Sequence, residues 1–114
     1  LLFWYWRQDV RPLSPAAADR FLESATKDAD RGRLDAADAR LRTILADCPE
    51  HHRARRTLAE ICVKRRRPHE AAKLISGLPN EFLGEQFEES LALAKSLTAS
   101  GFFFEAEPLL QRLI

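Results

Sequence analysis

One spacing governs this chain. Ala25, Ala59 and Ala94 stand 34 and 35 residues apart. Gly32, Arg66 and Gly101 repeat the same two intervals, and Leu34, Pro68 and Phe103 follow two residues later. Ala37, Ala71 and Ala106 come three residues after those. Each is followed at the fourth residue by a large apolar side chain: Leu41, Ile75 or Leu110. A period of this length restricts the fold severely. One small unit cannot bury its apolar face alone, so successive units must stack and share a continuous core.

The unit reads as a pair of helices. Ser14-Pro15 is a helix start, with Ser able to cap and Pro suited to the first helical position. Phe21, Leu22, Ala25 and Ala29 then recur at three- and four-residue steps, which predicts a first helix over 15–31, ended by Gly32. The second runs over 34–47, with Leu34, Ala37, Leu41, Ile44 and Leu45 inward. Asp35, Asp38, Arg40, Arg42 and Asp47 mark its wet face, and Pro49 closes it. So short a turn between two such helices requires antiparallel packing. A third helix is predicted over 51–65, with Ala54, Leu58, Ala59, Ile61 and Cys62 inward. A fourth covers 68–77, stopped by Gly77 and Pro79. Residues 79–84 form a connector in which a helical turn can start at Asn80. The fifth covers 85–99 and is expected to bury Phe87, Leu91, Leu93, Ala94 and Leu97. The sixth begins near Phe103 with Pro108 inside it, so it either starts late or is kinked there.

On these residues the chain resembles the tetratricopeptide repeat family, most clearly in Ala25, Gly32, Leu34, Ala37, Leu41 and Pro49. The resemblance spans about residues 18–114, as repeats 18–50, 51–84 and 85–114. It departs from the family pattern at Arg66, which stands for the turn glycine, and at Pro79, which comes four residues early. One residue is inserted before the third repeat. Large aromatic residues are mostly missing from the first helices, Phe21 being the clearest. The resemblance implies an all-α, right-handed superhelical solenoid of antiparallel helix pairs. It also implies a non-catalytic scaffold or adaptor that binds a protein or peptide in a concave groove lined by the first helix of each pair.

Arg53, Arg56, Glu60 and Lys64 fall on one face of such a first helix. With Lys95 of the next repeat, they are the expected partner contacts, because arginine pairs with carboxylates through two parallel bonds. The same face also reads as an ordinary solvated charged surface. Family members that capture chaperone C-termini use a Lys/Asn arrangement. Leu22 and Thr26 stand at those positions here, which excludes that specific ligand.

Charge is uneven along the chain. The total is +1, but residues 51–78 carry eight basic and two acidic side chains. The run Lys64-Arg65-Arg66-Arg67 dominates this excess. Arg65, Arg66 and Arg67 are candidates for contact with an anion, a nucleic acid or an anionic membrane. The competing structural reading is a set of cations facing the negative end of a helix. No interleaved aromatic platform for bases accompanies the run, so nucleic acid is the weaker expectation.

Other chemistry has few candidates. His51, His52 and His69 lack partners at ligand spacing, so no metal is expected. There is no glycine-rich phosphate loop, no Ser/His/Asp constellation and no paired catalytic carboxylate. No cofactor or small-molecule substrate is expected. An accessory segment of a larger enzyme stays open as an alternative. Cys48 and Cys62 would lie roughly 15 Å apart along one helix, too far for a bridge. Phe102, Phe103 and Phe104 are expected to be mostly core, with one ring left for a neighbour or partner.

The first residues carry a separate signal. Leu1-Leu2-Phe3-Trp4-Tyr5-Trp6 is followed at once by Arg7 and Arg11. Trp and Tyr favour the headgroup zone and arginine the water beyond it, as at the exit of a transmembrane helix. Six residues cannot span a bilayer, so the span would lie upstream. No small-residue cleavage site follows, which disfavours a signal peptide. Residues 7–14, with Pro12, read as a linker. Both ends read as cut from a longer chain, with Leu109, Leu110, Leu113 and Ile114 leaving an uncovered apolar face. The expectation is a single-pass membrane-anchored protein with its repeats on the extracytoplasmic, periplasmic side.

Overall fold

The computed structural model describes residues 13–114, so residues 1–6 and most of the linker lie outside the described residues. Among the described residues seven helices follow one another: α1 (Pro15–Asp30), α2 (Leu34–Asp47), α3 (His52–Lys64), α4 (Pro68–Ser76), α5 (Asn80–Glu85), α6 (Phe87–Ala99) and α7 (Phe103–Leu113). No strand occurs among the described residues. The chain is an all-α solenoid of helix pairs, α1/α2, α3/α4 and α6/α7, measuring 53 × 30 × 22 Å. First helices α1, α3 and α6 neighbour one another along one side, and α4 neighbours α7 on the other. None of the described helices is long and apolar enough to cross a membrane.

Small residues set the helix spacing. Ala25 and Ala37, Ala59 and Ala71, and Ala94 and Ala106 are all buried. A methyl group at each position lets the paired backbones approach closely, while Leu41, Ile44, Leu58, Ile61, Leu93 and Leu97 fill the space between pairs. Cys62 is part of this core. Burial pushes its thiol up to about 11, which keeps it protonated and unreactive.

The turn inside each pair is the same structure three times. Backbone N–H groups of Arg33, Arg67 and Phe102 donate to the carbonyls of Asp28, Cys62 and Leu97 at 2.7, 2.8 and 2.8 Å. Those of Gly32, Arg66 and Gly101 donate to Ala29, Val63 and Thr98, each at 3.0 Å. This is the Schellman pattern, and it needs a left-handed residue just past the helix. Gly32 and Gly101 supply it at φ 79° and 85°, and Arg66 supplies it at φ 60°. The arginine therefore departs from the family in residue type but not in geometry. Its left-handed backbone costs about 1–2 kcal/mol. Its guanidinium lies over the Phe102 ring, 5.1 Å from the centroid, which returns about 0.5–1 kcal/mol.

The second repeat ends early because its outer helix is broken. α4 stops at Ser76, Gly77-Leu78-Pro79 interrupts it, and α5 takes over. Leu78 drops into the core, 2% exposed, 34 residues after the equally buried Ile44. A break of this kind releases helix carbonyls that need partners. Arg112, reaching back from α7, provides them. Its Nη1 donates to Ile75 O at 3.1 Å, its Nη2 to Leu78 O and its Nε to Asn80 Oδ1 at 2.9 Å.

Four expectations need correction. Phe87 was expected in the core but is 43% exposed, since it opens α6 outside the ring of first-helix contacts. Asp38 was assigned to the wet face and is buried between arginines. Phe103 and Phe104 are both exposed, and only Phe102 packs on the core. Of the four apolar residues expected on an uncovered face, Leu110 and Ile114 are exposed, whereas Leu109 is buried and Leu113 packs partly on the core. A following helix covers the equivalent face of α2, and no described helix covers that of α7. Pro108 sits inside a continuous α7. The carbonyl it leaves unpaired belongs to Phe104, which is exposed, so water can satisfy it.

Arg112→Ala should lower stability by about 1–3 kcal/mol, the cost of leaving partly buried acceptors without donors. Arg112→Lys should recover less than half of this, because one ammonium cannot span three acceptors. Urea denaturation of the three proteins measures it, and an unchanged midpoint for Arg112→Ala would remove the bracing role.

Candidate functional site

The residues expected to meet a partner lie on α3 and α6. Arg53 and Lys64 are exposed at the two ends of α3, and Lys95 is exposed on α6. None of the three makes an ion pair among the described residues. Arg56 is different. Its side chain is 13% exposed, its Nε lies 3.5 Å from Glu60 Oε1, and its Nη1 donates to Gln86 Oε1 at 3.4 Å. It is built into the contact between α3 and the start of α6 rather than presented to solvent.

Glu60 and Lys64 meet at a cleft of about 420 Å³ between α3 and α6. Val63 and Leu93 form its apolar wall, and Ala92 and Ser96 keep its α6 side low. Desolvation in this setting pushes the Glu60 carboxyl above the ordinary range, against the pull of Arg56 and Lys64 and with a small addition from Glu89. The cleft thus holds one acid that would gain from a cation and, beside it, an exposed lysine that would gain from an anion. Lys95 lies off the cleft, on the adjoining surface of α6.

The basic run has another position altogether. Arg65 caps α3, and its guanidinium turns to α2, where Nη2 meets Asp35 at 2.8 Å and Nη1 meets Asp38 at 2.9 Å. Arg42 of α2 also pairs with Asp38 and reaches Glu70 of α4. These two carboxylates, Asp38 first, hold Arg42 further into its charged range. Arg67 lies 4.0 Å from Glu70. Arg66 occupies the left-handed turn over Phe102. Arg65 is therefore ion-paired across the first repeat boundary, Arg67 lies near a carboxylate of its own repeat, and Arg66 packs on an aromatic ring. Sequence reasoning missed Asp38 as the hub, because an aspartate on an amphipathic helix reads as solvated until an arginine 27 residues away is known to reach it.

A second cleft, near the start of α1, was also missed. Pro15, Ala18, Asp19, Cys48, Glu50 and His51 surround it. His51 caps α3, its Nδ1 accepting from Ala54 N–H at 3.2 Å, with Nε2 3.5 Å from Asp19 Oδ1. Among the described residues no group of His, Cys, Asp and Glu could hold a metal ion.

Glu60 makes stability pH-dependent in a known direction. A carboxyl raised in the folded state favours folding below its unfolded value, near 4.3, and loses that contribution as pH rises through the folded value. Glu60→Gln keeps the size of the side chain and removes its charge. It should raise the thermal midpoint at pH 7, with the gain shrinking toward pH 4. A gain that grew on acidification would reverse the assignment.

Comparison with known proteins supports the same architecture. A family model described as Tetratricopeptide repeat matches residues 28–92, from the end of α1 into α6. No curated protein and no solved structure matches the chain. The matched stretch exceeds half the sequence and includes two of the three identical turns. By this match, and by the helix pairs and turns that agree with it, the chain belongs to the tetratricopeptide repeat family.

Proposed function

We infer that this chain works as repeats of its family generally do, by mediating protein–protein interaction without catalysis. We propose that this chain is a scaffold or adaptor that holds a protein or peptide partner along the face formed by α1, α3 and α6. One observation carries the reading. Several basic side chains of the middle repeat are engaged in internal pairs, while Arg53, Lys64 and Lys95 stand exposed on the first helices and make no ion pair among the described residues. Lys64 at an apolar-walled cleft, with Arg53 and Lys95 elsewhere on the same helices, suits a segment that offers carboxylates and one or two apolar side chains. Glu60 adds a site for a donor within the same cleft. Arg56 serves this face by bracing Glu60 and Gln86.

The reading extends to attachment at a membrane, with the repeats on the periplasmic side. Its support is the stretch Leu1–Trp6 followed by Arg7 and Arg11, which suits the headgroup zone. Resistance to alkaline extraction from membranes of cells producing the protein would agree with it, and release into the soluble fraction would exclude it.

The groove is tested by affinity capture from the native host. Arg53→Ala/Lys64→Ala/Lys95→Ala should reduce recovery of specifically bound protein at least about tenfold, since each lost charged contact is worth about 1 kcal/mol. Arg65→Ala/Arg67→Ala should leave recovery within twofold once folding is matched. The opposite pattern would transfer function to the basic turn and favour the anion-binding alternative.

A further inference from the structure

The second repeat fills a position that the first leaves open. In the second repeat, α5 brings Phe82 against His52 at the start of α3, with ring centroids 5.6 Å apart. The same two positions 34 residues earlier hold Cys48 and Ala18. A thiol and a methyl group thus replace two rings. What remains is a cleft of about 480 Å³, with Pro15, Ala18, Cys48 and Pro49 as its apolar lining. Its polar residues are Asp19, Glu50 and His51, and among the described residues no Lys or Arg lines it. Because His51 Nδ1 accepts the Ala54 N–H, the neutral ring carries its proton on Nε2, facing Asp19. The rim is therefore acidic over an apolar floor.

We infer that this cleft is a binding site for a large apolar or aromatic side chain of a partner polypeptide that carries a lysine or arginine next to it. The aromatic group takes the place that Phe82 takes one repeat later. The adjacent cation answers Asp19, which is exposed, and Glu50. Asp19 is 34 residues before Arg53, so the cleft continues the first-helix face at its N-terminal end. The inference rests on the groove reading above and gives it polarity: an aromatic–cation element at α1, and carboxylates toward Arg53, Lys64 and Lys95.

The test is a titration of N-acetyl-Trp-Arg-amide into the isotopically labelled full chain, followed by amide chemical shifts. Saturable shifts centred on Ala18, Cys48 and His51 are expected, with a millimolar dissociation constant. N-acetyl-Ala-Arg-amide and N-acetyl-Trp-Glu-amide should each bind at least about fivefold more weakly. Cys48→Phe installs the residue found one repeat later and should abolish the shifts. Asp19→Lys alters only an exposed side chain and should reverse the preference for Arg over Glu, so the test does not depend on the filled variant folding. Arg53→Ala/Lys64→Ala/Lys95→Ala should leave this titration unchanged, which separates failure here from failure of the groove. Four results would overturn the inference. They are no saturable shift up to about 10 mM, equal binding of the Ala and Trp probes, shifts that persist in a folded Cys48→Phe protein, and contacts from the cleft to residues 1–12 that the probe does not displace.

Discussion

The close approach of two helices through paired alanines is the constraint on which the rest depends. Ala25 with Ala37, and its two echoes, leave no room for a larger side chain, and overpacking such a contact costs about 1–3 kcal/mol. Close approach needs a tight connection, and the Schellman turn provides one. The turn needs a left-handed residue, so Gly32, Arg66 and Gly101 fall at a fixed distance from the alanines. A pair locked in this way still has apolar surface on its outer sides. Leu41 and Ile44 are buried only because α3 lies against α2. Local geometry and stacking are thus two consequences of one contact.

Charge follows from the same stacking. When α3 packs on α2, its C-terminal end arrives beside Asp35 and Asp38. An arginine at that end satisfies a buried carboxylate and also meets the negative end of its own helix. Asp38 in turn holds Arg42, which reaches Glu70 on the next outer helix. The chain of charges crosses the boundary between the first and second repeats twice and ties the two together. It also explains why a conspicuous basic run leaves little positive charge unspent. Removing one member of such a network strands the others, so its value is greater as a specificity device than as net stability.

The fold was legible because the period is a property of spacing, and spacing survives when residue types change. The helices predicted from capping residues and apolar steps agree with the observed ones within a residue or two, including the turn at Asn80. Reading failed where burial depends on a distant partner. Phe87 has the right residue type and the wrong position, since it stands on the exposed side of the first turn of α6. Asp38 has the wrong residue type for a buried position, and only Arg65 and Arg42 make it tolerable. Among the residues expected to meet a partner, exposure was only partly legible. Arg53, Lys64 and Lys95 are exposed as expected, whereas Arg56 is engaged in packing. That difference follows from Gln86 and the α5 insertion, which bring the start of α6 against α3 in a way that period alone does not describe.

In a repeat protein the positions that keep the period carry the scaffold. The positions that break it are free to carry recognition. Ala25, Ala59 and Ala94 are interchangeable in role, as are the three turns. Asp19, Arg53 and Glu88 occupy one level of successive first helices, yet their charges alternate. Thr26, Glu60 and Lys95, about two turns further along, are neutral, acidic and basic in order. The scaffold does not demand these differences, since exposed first-helix positions tolerate any solvated side chain. The insertion acts similarly. By closing the second repeat with Phe82, it leaves the first repeat's equivalent cleft as the open one. A partner that read this face would therefore meet a different surface at each repeat, and the order of those surfaces would fix its direction along the solenoid.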